Sequence, residues 1–368
     1  MKFELKKYIH PDFTQECFVN APDCTMLPAP KDGVVPEHYH GTTIFPEYFK
    51  INGEWVLAKE TRMDCVSVYQ GGEVRTVEFR NIHKGDLVII GRTEDGSEGI
   101  FVWAHGFGEG KEAESDLFSF RQGRSRETAF SRDYDELYAL LKHERDYGNI
   151  VWVMGPACAF DSDSRAAFAG LVKEGYVHAL LAGNALATHD LEGAYLKTAL
   201  GQNIYTQVSQ PMGHYNHLDT LNKIRSYGSI PAFIEGEGLN DGIICSCVKK
   251  KIPFVLAGSI RDDGPMPEIY GNVYDAQNAM RDCIRKATTV ITMATTLHSI
   301  ATGNMTPSFR VMDDGTIRQI YFYSVDISEF AVNKLADRGS LSARSIVTNA
   351  QDFVVNVYKG VHNVFDQH

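Results

Sequence analysis

Asn149-Ile-Val-Trp-Val-Met-Gly-Pro156 decides the fold. Five apolar residues, Ile150 to Met154, run without a polar interruption and end at a Gly-Pro pair. Such a run is too short for a helix and reads as a strand buried on both faces. The same signal recurs at His178-Ala-Leu-Leu-Ala182, Pro253-Phe-Val-Leu-Ala257, Val290-Ile-Thr-Met-Ala294 and Ile320-Tyr-Phe-Tyr-Ser-Val325, and in the short Ser345-Ile-Val347. Between these strands lie segments with apolar residues at helical spacing: Ser164 to Glu174, His217 to Tyr227, Tyr274 to Arg285 and Glu329 to Ala336. Strands alternating with helices imply right-handed crossovers and a parallel sheet. A further helix from Asp133, with Ser131 or Asp133 as its cap, leads into the first strand. The expectation is a parallel α/β, Rossmann-like domain over residues 133–368.

The preceding chain reads differently. Glu54 to Ala58, Val66 to Tyr69 and Asp86 to Ile90 are short β-branched or aromatic runs, separated by Asn52-Gly53 and Gly71-Gly72. They predict a small β-rich domain over residues 1–115. Residues 116–132 are polar and carry Arg121, Arg124 and Arg126. They read as a linker, or as a loop over a site with a grip on a carboxylate or phosphate.

Bulk composition narrows the function. The chain has 368 residues, 23% charged, with a net charge of -11. That charge argues against nucleic acid, whose phosphates need concentrated Lys and Arg. The densest basic run, Lys249 to Lys251, reads as a solvated helix end. No apolar run approaches the ~18 residues of a membrane span, and the N-terminal residues lack an apolar leader core. A cytoplasmic protein without membrane contact is the expectation. Seven cysteines, an odd number in a long chain, make a disulfide framework improbable.

In open α/β sheets ligands bind beyond the carboxyl ends of the strands. Here those ends are Gly155-Pro156, then Gly183-Asn184-Ala185, then Gly258 to Pro265, then Thr295-Thr296-Leu297-His298, then Asp326, and finally Thr348-Asn349. Small residues let backbone approach a ligand, and free amides at helix starts favour pyrophosphate. A carboxylate such as Asp326 can accept both ribose hydroxyls, cap a helix from Ser328 onward, or do both. The usual G-x-G-x-x-G is missing, and Gly106 to Lys111 is neither that fingerprint nor a P-loop. Glu37-His38-Tyr39-His40 and His214 to His217 have metal-compatible spacings, but loop and helix-start signals beside them favour no metal. Cys247 is either a nucleophile or a small buried thiol.

Longer blocks carry a resemblance. Gly183 to Asp190, Phe254 to Pro265, Leu297 to Asn304 and Lys334 to Ser340 resemble the archaeal-type ornithine cyclodeaminases, also called the LOR/SDH conserved-region family. Pro28 to Val34, Thr42-Thr43 and Met63 to Cys65 resemble it too, so the likeness spans roughly residues 26–350. It implies an N-terminal β domain, a deoxyhypusine-synthase-like NAD-binding domain, and conversion of L-ornithine to L-proline and ammonia. It implies NAD contacts from Asn184, Ala185, Asp263, Thr295, Thr296, Leu297, His298, Asp326, Asn349 and Ala350. The family often has Asp where Asn349 stands. For that chemistry Asp262 or Asp263 is a candidate to hold the distal amine, and Arg261 or the Arg121–Arg126 group the carboxylate. His217, His298 and Lys334 are candidates for proton transfer, beside Cys247 as the possible nucleophile. A homo-oligomer acting on a free amino acid is expected. The alternatives are an NAD-dependent amino-acid or opine-type dehydrogenase, and a regulatory NAD-binding protein without turnover.

Overall fold

The computed structural model describes residues 3–108, 131–260, 262, 265–328 and 341–362. A short helix, α1 (Glu16–Val19), precedes the N-terminal strands: β1 (Thr25–Pro28), β2 (Glu47–Ile51), β3 (Glu54–Leu57), β4 (Val66–Gln70), β5 (Glu73–Val77), β6 (Leu87–Ile90) and β7 (Ile100–Val102). They pair antiparallel as β1-β6-β4-β5 and β3-β2-β7. Phe49, Val74, Ile89 and Ile100 close a small core between them. The β-rich reading of this region agrees with the structure.

The rest of the chain builds on helix α2 (Ser131–Tyr147) and strand β8 (Ile150–Met154). After them come α3 (Ser162–Lys173), β9 (Ala179–Gly183), α4 (Asn184–Leu196), a small hairpin of β10 (Thr198–Ala199) and β11 (Gln202–Asn203), α5 (Asn216–Tyr227), α6 (Ile230–Gly236) and α7 (Ile243–Lys250). The second half adds β12 (Phe254–Ala257), β13 (Ile269–Tyr270), α8 (Val273–Ile284), β14 (Thr289–Met293) and α9 (Thr296–Met305). A hairpin of β15 (Phe309–Val311) and β16 (Ile317–Gln319) follows, then β17 (Tyr321–Asp326), β18 (Ala343–Val347) and α10 (Ala350–His362).

Seven strands form one sheet in the order β13-β12-β9-β8-β14-β17-β18, and every neighbouring pair is parallel. The central strand β8 is apolar throughout because both its faces are covered. Ile150, Trp152 and Met154 enter the core beneath α2, α3, α7 and α10. Val151 and Val153 enter the opposite core, beneath α8 and α9. Trp152 packs edge-on against Phe168 at 5.2 Å and donates its indole N–H to the Tyr176 carbonyl at 3.0 Å. Its only polar atom is thus satisfied in a fully buried place. The chain steps from β8 to β9, β12 and β13 on one side, then returns to β14, β17 and β18 on the other. The direction reverses between β8 and β14, which places a crevice at their carboxyl ends.

The helices α4, α9, α1, α6 and α10 went unread in the sequence, and of α7 only the basic end was read. The first two begin directly after strands, in segments read only as strand ends facing a ligand. α4 is buried on nearly every face, so it carries no polar stripe and no 3.6-residue signal. Expected helix starts moved where caps decide them: α3 begins at Ser162 because the Asp161 carboxylate accepts the N–H groups of Asp163 and Ser164. The basic run Lys249-Lys250 does end a helix, α7, with Lys251 in the left-handed cap position. The expected helix Glu329 to Ala336 lies outside the described residues. No helix among the described residues is long and apolar enough to cross a membrane.

Candidate active site at the carboxyl edge of the sheet

The register brings the strand ends level. Ala257 pairs with Gly183, Met154 with both Ala182 and Met293, Met293 with Val325, and Asp326 with Val347. The residues that follow therefore share one edge. At the reversal point the backbones of β8 and β14 nearly touch: the Gly155 N–H donates to the Met293 carbonyl at 3.0 Å. A Cβ on Gly155 would lie 1.9 Å from the Ala294 carbonyl oxygen, and Ala294 itself takes a left-handed φ of 53°. Gly155 is thus the glycine this crevice requires.

Two helices start on this edge with no side chain capping their first amides. α4 follows Gly183 and α9 follows Thr295. Uncapped N-termini with aligned peptide dipoles favour an anion. The two meet through His298, whose ring lies where a Cβ on Gly183 would come within 3.0 Å of Cε1. Thr295 Oγ1 lies 3.4 Å from the His298 Nδ1. Burial pushes the His298 pKa down, partly opposed by the charge of Asp262, so the ring favours its neutral form. Asp262 Oδ2 accepts the Ser259 N–H at 2.8 Å and stands on the loop after β12.

The remaining predicted contacts fall along the same edge. The Asn184 Oδ1 accepts the Met266 N–H at 3.3 Å, tying the start of α4 to the loop after β12. Ala185 is half-buried at the first turn of α4, while Thr296 and Leu297 are exposed at the first turn of α9. Asp326 is half-buried at the end of β17, and its Oδ1 accepts the Ser328 N–H at 2.8 Å. That is the capping role weighed for it, and Oδ2 is the oxygen that could meet a ribose. Asn349 caps α10 through Gln351 and Asp352, and Ala350 is buried beneath it. Asp263, Arg261, Lys334 and Arg121 to Arg126 lie outside the described residues. Taken together, two anion-seeking helix starts, two glycines at close backbone approaches and one terminal carboxylate fit a dinucleotide.

Cys247 sits elsewhere. It is fully buried in α7 against the main core, and burial pushes its thiol pKa far up. A nucleophile needs access and thiolate character, and this side chain has neither. All seven cysteines are unbridged. His38 lies exposed in a left-handed loop conformation, whereas His40 is buried with its Nε2 3.1 Å from Glu47 Oε2. The two rings of that H-x-H motif therefore do not converge. His217 stands on α5 with its ring centroid 6.2 Å from that of His189. His189 and Glu192 form the pair that the sequence reading passed over. His189 Nδ1 lies 2.9 Å from Glu192 Oε2, and Glu192 is fully buried. The visible signal was His and Glu three apart, but it shows only once residues 184–196 are known to be helical.

Comparison with known proteins agrees with this architecture. The model of the "Arginine dihydrolase ArgZ-like, C-terminal, Rossmann fold" region matches residues 136–357, and that of its first region matches residues 46–127. An ornithine cyclodeaminase of Methanopyrus kandleri is 36% identical over 371 residues, covering 99% of this chain and 83% of that protein. The crystal structure of a conserved LOR/SDH protein from Methanococcus maripaludis S2 superposes with a TM-score of 0.81 at 35% identity, covering 92% of this chain and 98% of that one. A ternary complex of AgrE with ornithine and NAD+ matches with a TM-score of 0.57 at 30% identity, over 93% of this chain and 46% of that one. A Rossmann-like sheet with this strand order, a β-rich N-terminal region and near full-length identity of this degree have one meaning: the chain belongs to the ArgZ-like C-terminal family, which includes the archaeal ornithine cyclodeaminases.

Proposed function

We propose that this chain is an NAD-dependent ornithine cyclodeaminase that converts L-ornithine to L-proline and ammonia, working as a cytoplasmic homo-oligomer. The observation that carries the reading is the convergence of two uncapped helix starts and Asp326 on one sheet edge. When bound, NAD supplies a hydride acceptor and donor for the α-carbon of the amino acid. The first amides of α4 and α9 hold its pyrophosphate, and Asp326 accepts its ribose hydroxyls. Asn184, Ala185, Asp263, the segment Thr295 to His298, Asn349 and Ala350 complete that contact set on the family resemblance. Asp262 or Asp263 offers a carboxylate to the distal ammonium of ornithine, and the neutral His298 ring adds no second positive charge beside it. His217, His298 and Lys334 remain the candidates for proton transfer.

A homo-oligomer is supported by the segment around β10 and β11. Leu200, Tyr205, Val208, Met212, Tyr215 and Leu218 are 46–67% exposed there. An apolar surface of this kind is normally covered by a partner. The cofactor reading is tested by acid release of ligand from the purified protein. A nicotinamide nucleotide at about one per chain is expected, and a protein that neither carries nor binds one contradicts the reading.

A further inference from the structure

Helix α4 connects the nucleotide edge to a second polar cluster. Ala185 stands in its first turn, and His189 and Glu192 follow at i+4 and i+7 on the same face. The His189 ring therefore lies about one helical turn, roughly 5.4 Å along the axis, beyond the proposed nucleotide contact. Everything around Glu192 fixes it. It is fully buried, Oε2 holds the His189 Nδ1 at 2.9 Å, and Oε1 accepts the Thr198 hydroxyl at 2.8 Å. Thr198 Oγ1 in turn accepts from the Asn216 amide at 2.9 Å. With Nδ1 donating to a carboxylate, the lone pair of the ring is on Nε2.

The ring itself is not sealed in. Its side chain keeps 11% exposure, with Phe160 at 5.5 Å and His217 at 6.2 Å between ring centroids. Phe160 lies in the turn between β8 and α3, so the His189 ring packs beside the segment that leaves the carboxyl end of β8. His217 is half-buried on α5 and leads toward solvent. A carboxylate-oriented imidazole with one open nitrogen beside a ligand edge is the arrangement of a general base.

We infer that His189, held by Glu192, takes the proton from the α-ammonium of the amino-acid substrate; this rests on the functional reading above. The ammonium N–H bond breaks and an Nε2–H bond forms. The positive charge passes from the amino acid to the imidazole ring, where the Glu192 carboxylate balances it. The same proton is then available to the nitrogen that leaves as ammonia. Glu192 does not touch substrate and is a positioning residue.

The test uses the full chain with His189→Gln, His189→Ala and Glu192→Gln. Three quantities are read for each: retained nucleotide, L-ornithine affinity by calorimetry, and turnover with and without added imidazole. The expected result is retained nucleotide and ornithine affinity within about threefold in His189→Gln, with turnover lower by about 10²- to 10⁴-fold. Free imidazole restores part of the activity of His189→Ala, and Glu192→Gln lowers kcat about tenfold while KM holds. Turnover of His189→Gln within about threefold of wild type, or loss of nucleotide together with turnover in that variant, overturns the inference alone. A wild-type chain without turnover of ornithine overturns the functional reading and the inference with it.

Discussion

A methyl group on Gly155 would point into the carbonyl of Ala294, because β8 and β14 approach each other where the chain reverses its direction of travel. Gly155→Ala must push these strand ends apart. It is expected to lower unfolding free energy by about 3 kcal/mol in urea titrations and to lose the bound nucleotide. Asp326 is the other residue on which the edge depends. Asp326→Asn keeps the oxygen that caps Ser328 but removes the anionic acceptor. Nucleotide affinity by fluorescence titration should fall about 10- to 100-fold with little change in melting temperature. Both residues were legible in the sequence, since each closes an apolar strand. His189 was not, because its meaning depends on Glu192 one turn away, and nothing in residues 183–190 announced a helix.

The strands were legible as elements because burial on both faces leaves an unbroken apolar run, and β8 came out residue for residue. α4 was not, since a helix buried on nearly every face has no periodicity to read, and α9 was not, because it buries Ser299, Thr302 and Gly303 and exposes Leu297. The turn into β9 carries a pH device that the sequence also hid. The Ile150 N–H donates to the His178 Nδ1 at 2.9 Å, which requires that nitrogen unprotonated. Burial pushes the His178 pKa below its ordinary value of 6.5, against the opposing pull of the Arg145 backbone and the Glu144 charge. The folded chain thus binds fewer protons at this site than the unfolded chain. Its stability is full above pH 6.5 and declines as the pH falls below it. Melting temperature should drop between pH 7 and pH 5, and His178→Asn, which can still accept the amide, should flatten that slope. An unchanged slope in the variant would contradict the assignment.

At the scale of the molecule, the β-rich region is tied to the sheet domain by charge. Glu78 pairs with Arg62 at 2.8 Å and with Arg281 of α8 at 2.5 Å, both guanidinium groups almost fully buried. Burial alone would raise the Glu78 carboxyl, but the two cations overcome it and hold the pKa below the carboxylate range. Glu78→Gln leaves two buried cations short of a counter-charge. It should cost about 3 kcal/mol, read as a shifted urea midpoint. The hairpin β15–β16 adds a second tie, through the Ser308 N–H to the Thr61 carbonyl and the Val311 N–H to the Lys59 carbonyl. Neither contact was legible, because each joins residues about 200 or more positions apart. A different surface should answer to concentration: Met212→Asp, in the exposed apolar segment, should lower the mass seen by light scattering if copies of the chain meet there.

The proposed function requires that the nucleotide held at this edge take a hydride from the amino acid and return it to the cyclised product. Purified protein, given L-ornithine and no added reductant, should release ammonia and proline in equal amounts with no net growth of absorbance from reduced nicotinamide. Absence of both products, or reduced nucleotide accumulating in step with ammonia, would contradict it.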